Sequence, residues 1–158
     1  IVYTPAIPAD SRILNYFTSQ GNLMMKRAAA LGKLSEGKYL MAVAGSHGKS
    51  TTSTLAAYID SVAAGEGSAF LGAISKNFGS NLVIGKGNRL VVEADEFDRS
   101  FLHLSPNAAV ITAVDPDHLD IYHTAEEFSE GFSQFVNRIF LPVKFRDYSF
   151  LFLLIRQF

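Results

Sequence analysis

The sequence predicts an α/β fold: a mostly parallel sheet of the P-loop type, flanked by helices on both faces. Three observations predict it. Four short apolar runs, 39-YLMAVAG-45, 69-AFLGAI-74, 89-RLVVEAD-95 and 108-AAVITAV-114, have the length and texture of strands buried on both faces. Helical stretches alternate with these runs, as they do where parallel strands need crossovers. The first run also passes directly through a glycine loop, GSHGKS, into a helical stretch.

The elements follow in order. Asp10 and Ser11 cap a helix running to about Gln20, with Gly21 ending it. A second helix spans roughly Met25 to Leu34 and is followed by a Ser-Glu-Gly turn. After the first buried strand and the loop, Ser50 to Ala64 reads as a helix. Its apolar positions Leu55, Tyr58, Ile59 and Val62 fall on one stripe. The three remaining strands are each bordered by Gly, Asn, Asp or Pro. Thr124 and Glu127 make a capping box for a last helix, to about Ile139. The final 19 residues, from Phe140, hold five of the thirteen phenylalanines without helical period. YSFLFLLI there fits a core strand missing its neighbours, and a truncation or an altered reading frame would give such an end equally well; the tail is assigned no function.

Composition narrows the function classes. The chain has 158 residues, 48% hydrophobic and 18% charged, which suits one globular domain with one core. A net charge of −1 gives no ground for nucleic-acid binding. The absence of cysteine excludes disulfides and thiolate metal sites, and is compatible with a cytoplasmic location. No run is apolar for long enough to span a bilayer as a helix. The opening IVYTPAIPADSR lacks an initiator methionine and reads as the interior of a longer protein.

Three clusters carry chemistry. In the loop Gly45, Ser46, His47, Gly48, Lys49, Ser50 and Thr51, the glycines permit a tight turn that aims N–H groups at phosphate oxygens. The helix start adds partial positive charge, Lys49 neutralises β/γ-phosphates, and the Ser50 hydroxyl ligates Mg²⁺. Position 43, where the common pattern has another glycine, is Val43. The second cluster, Glu93, Asp95, Glu96 and Asp98, lies at the carboxyl end of a strand, the edge where parallel sheets bind ligands. Strand period places Glu93 with Asp95 and Ala94 with Glu96. Taken alone it would also fit an acidic surface turn. The third, Asp115, Asp117, His118, Asp120 and His123, follows another strand; an imidazole there suits a metal or a phosphate. Alone, that cluster equally fits a turn with a polar tail. His103 and His123 read as structural or surface residues.

These clusters, in this order and spacing, resemble the central ATP-binding domain of the Mur ligases. AGSHGKSTT is similar to that family's shorter loop, G-[ST]-x-G-K-[ST]-[ST], which needs no earlier glycine. EADEFDRSFLHLSP and DPDHLDIY resemble the alanine-adding branch, which joins L-alanine to UDP-N-acetylmuramate in building bacterial cell-wall precursors. The resemblance runs from about Tyr3 to Ile139. It implies ATP and Mg²⁺ as cofactors and an acyl-phosphate intermediate. Among the residues, it implies the loop 45–51 for the phosphates, Lys49 and His118 as catalytic groups, Ser50 and Glu93 on a first Mg²⁺, and His118 on a second metal. It also implies a division into an exit from a UDP-binding domain (1–10), a central domain (11–139) and an atypical tail (140–158). The isolated piece is then expected to be inactive in ligation and prone to self-association through surface left uncovered.

The sequence departs from the family's pattern at several points. Ser46 and Ser50 replace the commoner threonines, and Ala113 stands where asparagine is frequent. The ligase that joins a whole tripeptide to the same sugar nucleotide shares these motifs, and the stretch Phe97 to Pro106 favours the alanine branch over it. A non-catalytic P-loop nucleotide-binding module is the remaining alternative.

Overall fold

A computed structural model describes residues 1–4, 6–63, 65–115 and 122–140, together with two backbone strands at 144–148 and 151–155. A short parallel pair opens the chain: β1 (Val2–Tyr3) lies beside β2 (Met25–Lys26). Between them α1 (Arg12–Ser19) begins at Ser11, whose hydroxyl accepts from the Leu14 N–H, as the capping signal predicts. The stretch read as a helix from Met25 divides. Met25 and Lys26 pair with β1, and α2 (Arg27–Ser35) starts only after them.

The main sheet contains β3 (Tyr39–Ala44), β4 (Ser68–Ser75), β5 (Ser80–Val83), β6 (Arg89–Glu93), β7 (Ala108–Ile111), β8 (Lys144–Tyr148) and β9 (Leu151–Ile155). Their order is β5-β4-β6-β3-β7-β9-β8. The four interior strands β4, β6, β3 and β7 run parallel, and antiparallel strands border them on both sides. All four apolar runs read as strands are these four. The tail contributes β9 antiparallel to β7, so its apolar run does find a strand neighbour.

Both faces of the sheet are covered. On one, Leu40, Ala42, Leu90, Val92, Ala109 and Ile111 pack with Phe101 and with Phe128, Phe132 and Phe135 of α4 (Ala125–Val136). Phe101 stacks on Phe135 at 4.9 Å and meets Phe132 edge-on at 5.2 Å. Thr124 caps α4 by accepting from the Glu127 N–H at 3.1 Å. On the other face, α3 (Lys49–Ala63) covers Ala69, Leu71 and Val91.

The way α3 lies differs from the usual reading of its apolar stripe. Leu55, Tyr58, Ile59 and Val62 are 45–72% exposed, and the buried positions are Ser53 and Ala57. Small side chains on the inner face let the helix lie close to the sheet, and the large ones turn outward. Among the described residues, Tyr58 retains one aromatic neighbour, Phe78, at 6.3 Å.

Candidate active site

The site is built at the carboxyl edge of the parallel strands. Val43, fully buried in β3, belongs to the strand, and the turn starts at Gly45. Gly45 and Gly48 have φ of 129° and 80°, in the region glycine favours. A side chain at Gly45 would also collide with Thr112 and the backbone of Ala113. The loop is therefore short because β7 lies directly against it.

Ser46 fastens the loop to the end of β7. Its hydroxyl donates to the Asp115 carbonyl at 2.7 Å and accepts from the Asp115 N–H at 2.9 Å. Its own N–H donates to the Ala113 carbonyl at 3.0 Å. The Thr112 hydroxyl donates to the His47 carbonyl. Ser46 is therefore an anchor whose donors are committed to the protein. The loop keeps its phosphate-facing capacity in the N–H groups at the start of α3, which have no partner within a helix.

The four carboxylates of the acidic cluster take four different jobs. β6 ends at Glu93, so the strand period does not continue to Asp95. Glu93 Oε1 accepts from the Ser50 hydroxyl at 3.0 Å. Its Oε2 accepts from the Ser53 hydroxyl at 3.3 Å and from the Gly72 N–H at 2.8 Å. Asp95 folds back to accept from the Phe97 N–H, closing its own turn. Glu96 is fully buried and lies 2.9 Å from the Lys49 ammonium, which also donates to the Gly45 carbonyl at 2.7 Å. Asp98 pairs with Lys26 at 2.9 Å, and that hydrogen bond and charge raise the lysine's pKa.

A short 3₁₀ segment, Phe97–His103, follows Glu96 and kinks at Asp98 and Arg99, both with positive φ. Arg99 lies over the ring of Tyr122 at 5.4 Å. The Tyr122 hydroxyl donates to the Glu96 carbonyl at 2.6 Å, and burial pushes its pKa up to about 12. Tyr122 thereby ties the start of α4 to the backbone of the acid that holds Lys49.

The structure thus brings together Gly45, Ser46, His47, Gly48, Lys49, Ser50 and Glu93. Thr51 lies in the first turn of α3 and is exposed. His118, Asp117 and Asp120 lie outside the described residues. Among the described residues, no three His, Asp or Glu side chains converge as a metal cluster. A hydroxyl and one carboxylate from the protein are nevertheless a fitting oxygen set for a hard cation that takes its other ligands from phosphate and water. The sequence reading missed Gly72, Ser53 and the Lys49–Glu96 pair. A glycine inside a strand, as in AFLGAI, is the signal that marked Gly72 as a close-approach point.

Known proteins are similar to this chain in sequence and in fold. The Mur ligase middle domain matches residues 43–142. The UDP-N-acetylmuramate–L-alanine ligase of Porphyromonas gingivalis is 51% identical over 140 residues, covering 88% of this chain and 31% of that protein. The enzyme of the same name from Cytophaga hutchinsonii is 45% identical over 143 residues, with the same coverage. In structure, UDP-N-acetylmuramate-alanine ligase MurC from Thermotoga maritima superposes with a TM-score of 0.78 at 26% identity, over 87% of this chain and 33% of that one. The chain thus spans about a third of the length of these relatives. With the family pattern matched over more than half its length, and the loop, strand and acidic residues placed at one sheet edge, the chain belongs to the Mur ligase middle-domain family.

Proposed function

We propose that this chain is the ATP-binding portion of a cytoplasmic ligase that joins L-alanine to UDP-N-acetylmuramate. The observation that carries the reading is the meeting of Ser50 and Glu93 at 3.0 Å beside the Lys49 loop, in a chain 51% identical to a ligase of that name. In this reading the N–H groups opening α3 bind the phosphates of ATP. Two of the three Lys49 donors are engaged by Gly45 and Glu96, and the third meets a phosphate oxygen. Ser50 and Glu93 hold Mg²⁺, and His118 holds a second metal. Bound Mg²⁺ supplies charge neutralisation at the phosphates.

The reaction follows from the substrates. A carboxylate oxygen of UDP-N-acetylmuramate attacks the γ-phosphorus, the bond to ADP breaks, and an acyl phosphate forms. The alanine nitrogen then attacks the acyl carbon, phosphate departs, and the amine loses a proton. The chain's own part is to position the phosphates and offset their charge. Residues 11–139 form the ATP-binding domain in this reading, and 1–10 leads out of a preceding UDP-binding domain. The recognition of both other substrates falls to parts of the longer protein. The outward apolar stripe of α3 supports self-association of the isolated piece, which sedimentation at increasing concentration tests.

The longer protein carrying this chain, supplied with ATP and UDP-N-acetylmuramate, tests the reading. L-alanine is expected to trigger phosphate release and a tripeptide is not. Release with the tripeptide alone would overturn the alanine assignment.

A further inference from the structure

The Glu93 carboxylate is held more fully than a cation ligand on a flexible stem needs to be. β4 runs parallel to β6 only as far as Phe70, which pairs with Val92. Beyond that point the register of β4 is irregular, and the Gly72 N–H has left the ladder with β6. It donates to Glu93 Oε2 at 2.8 Å. The same oxygen lies 3.3 Å from the hydroxyl of Ser53, a fully buried side chain on the inner face of α3 whose one proton is shared between it and the Ser50 carbonyl at 3.2 Å. Any side chain at position 72 would collide with the carboxylate. Two elements on either side of the site therefore converge on one oxygen of one acid.

We propose that Gly72 and Ser53 are positioning residues that fix Glu93 by occupying its Oε2, so that Oε1, beside Ser50, is the single oxygen offered to the cation. This inference rests on the proposed assignment of Glu93 and Ser50 to a Mg²⁺ site. A free carboxylate can rotate and present either or both oxygens; one held on Oε2 by a backbone N–H and a buried hydroxyl cannot do so without losing both bonds. Mg²⁺ commonly takes one or two carboxylates and keeps several waters, so a carboxylate presenting one oriented oxygen suits it. The arrangement also explains the small inner face of α3. A long apolar side chain at 53, such as leucine, would push the helix off the sheet and take Ser50 away from Glu93. It fits the glycine at 72 as well, since a Cβ there would force the carboxylate to move.

The test is calorimetric titration of the 158-residue chain with ATP, with Mg²⁺ and with excess chelator, for wild type, Ser53→Ala, Ser53→Thr and Gly72→Ala. The quantity read is the ratio of the two affinities. Ser53→Ala is expected to reduce the Mg²⁺ enhancement about tenfold, with the Mg²⁺-free affinity unchanged. Ser53→Thr, which keeps the hydroxyl, is expected to restore the enhancement. Gly72→Ala is expected to act in the same sense as Ser53→Ala; if circular dichroism shows it unfolded, the serine pair decides. A wild-type ratio in Ser53→Ala would overturn the positioning role, as would an equal fall in both affinities. No Mg²⁺ enhancement in wild type would instead overturn the cation site itself, and the inference with it.

Discussion

Replacing Lys49 with methionine tests how the loop lysine is held. The ammonium sits 2.9 Å from a carboxylate with no exposed surface, while Lys49 itself is only 15% exposed. Taking away the ammonium removes the counter-charge that lies 2.9 Å from the buried Glu96 carboxylate, a loss of about 3 kcal/mol or more. For a chain of this size that lowers the melting temperature by roughly 6–12 °C. Removing both charges together, as Lys49→Met with Glu96→Gln, is expected to recover most of the loss, because neither member of the pair is then buried as a charge without the other. Thermal denaturation followed by circular dichroism reads both variants. A single variant that melts with the wild type would refute the buried pair. So would a double variant less stable than the single one.

Other outcomes follow from the same geometry. Gly45→Ala imposes a side chain at φ 129° against Thr112 and Ala113, and is expected to cost about 2 kcal/mol or more, read as a lowered denaturant midpoint. Thr124→Ala removes the cap of α4, worth about 1 kcal/mol, and lowers the melting temperature by roughly 2–4 °C. Tyr122 titrates near a pKa of about 12, above its ordinary 10.0. The folded state therefore holds this proton more tightly than the unfolded chain does. Its contribution to stability is complete below pH 10.0 and is lost as the pH rises through about 12. Phenolate absorbance across that range is expected to show a late-titrating tyrosine that is absent in Tyr122→Phe.

Much of the fold was legible because its signals are local. Ser11 and Thr124 announce their helices through one hydroxyl each, and both hydroxyls make the expected bonds. The four apolar runs became the four parallel strands because strands buried on both faces need continuous hydrophobicity. Legibility failed where a distant partner decides. Met25 and Lys26 look helical until β1 pairs with them. The stripe on α3 has the right period, yet the site draws the Ser53 face inward to Glu93 and leaves the larger residues outside. Strand period joined Glu93 to Asp95, whereas the strand stops at Glu93 and the next acid at the loop is Glu96, whose partner Lys49 lies 47 residues away in sequence. The loop and Glu93 were thus readable from the chain, while Glu96 and Ser53, which hold Lys49 and Glu93 in place, were visible in those roles only in three dimensions.

The central claim is that the loop 45–51 binds the phosphates of ATP through Lys49. Calorimetric titration of ATP with Mg²⁺ into the wild-type chain and into the charge-balanced Lys49→Met, Glu96→Gln variant tests it most directly, because the comparison is made between two folded proteins. The account predicts measurable binding by the wild type and a large loss in the variant. Equal affinities would contradict it.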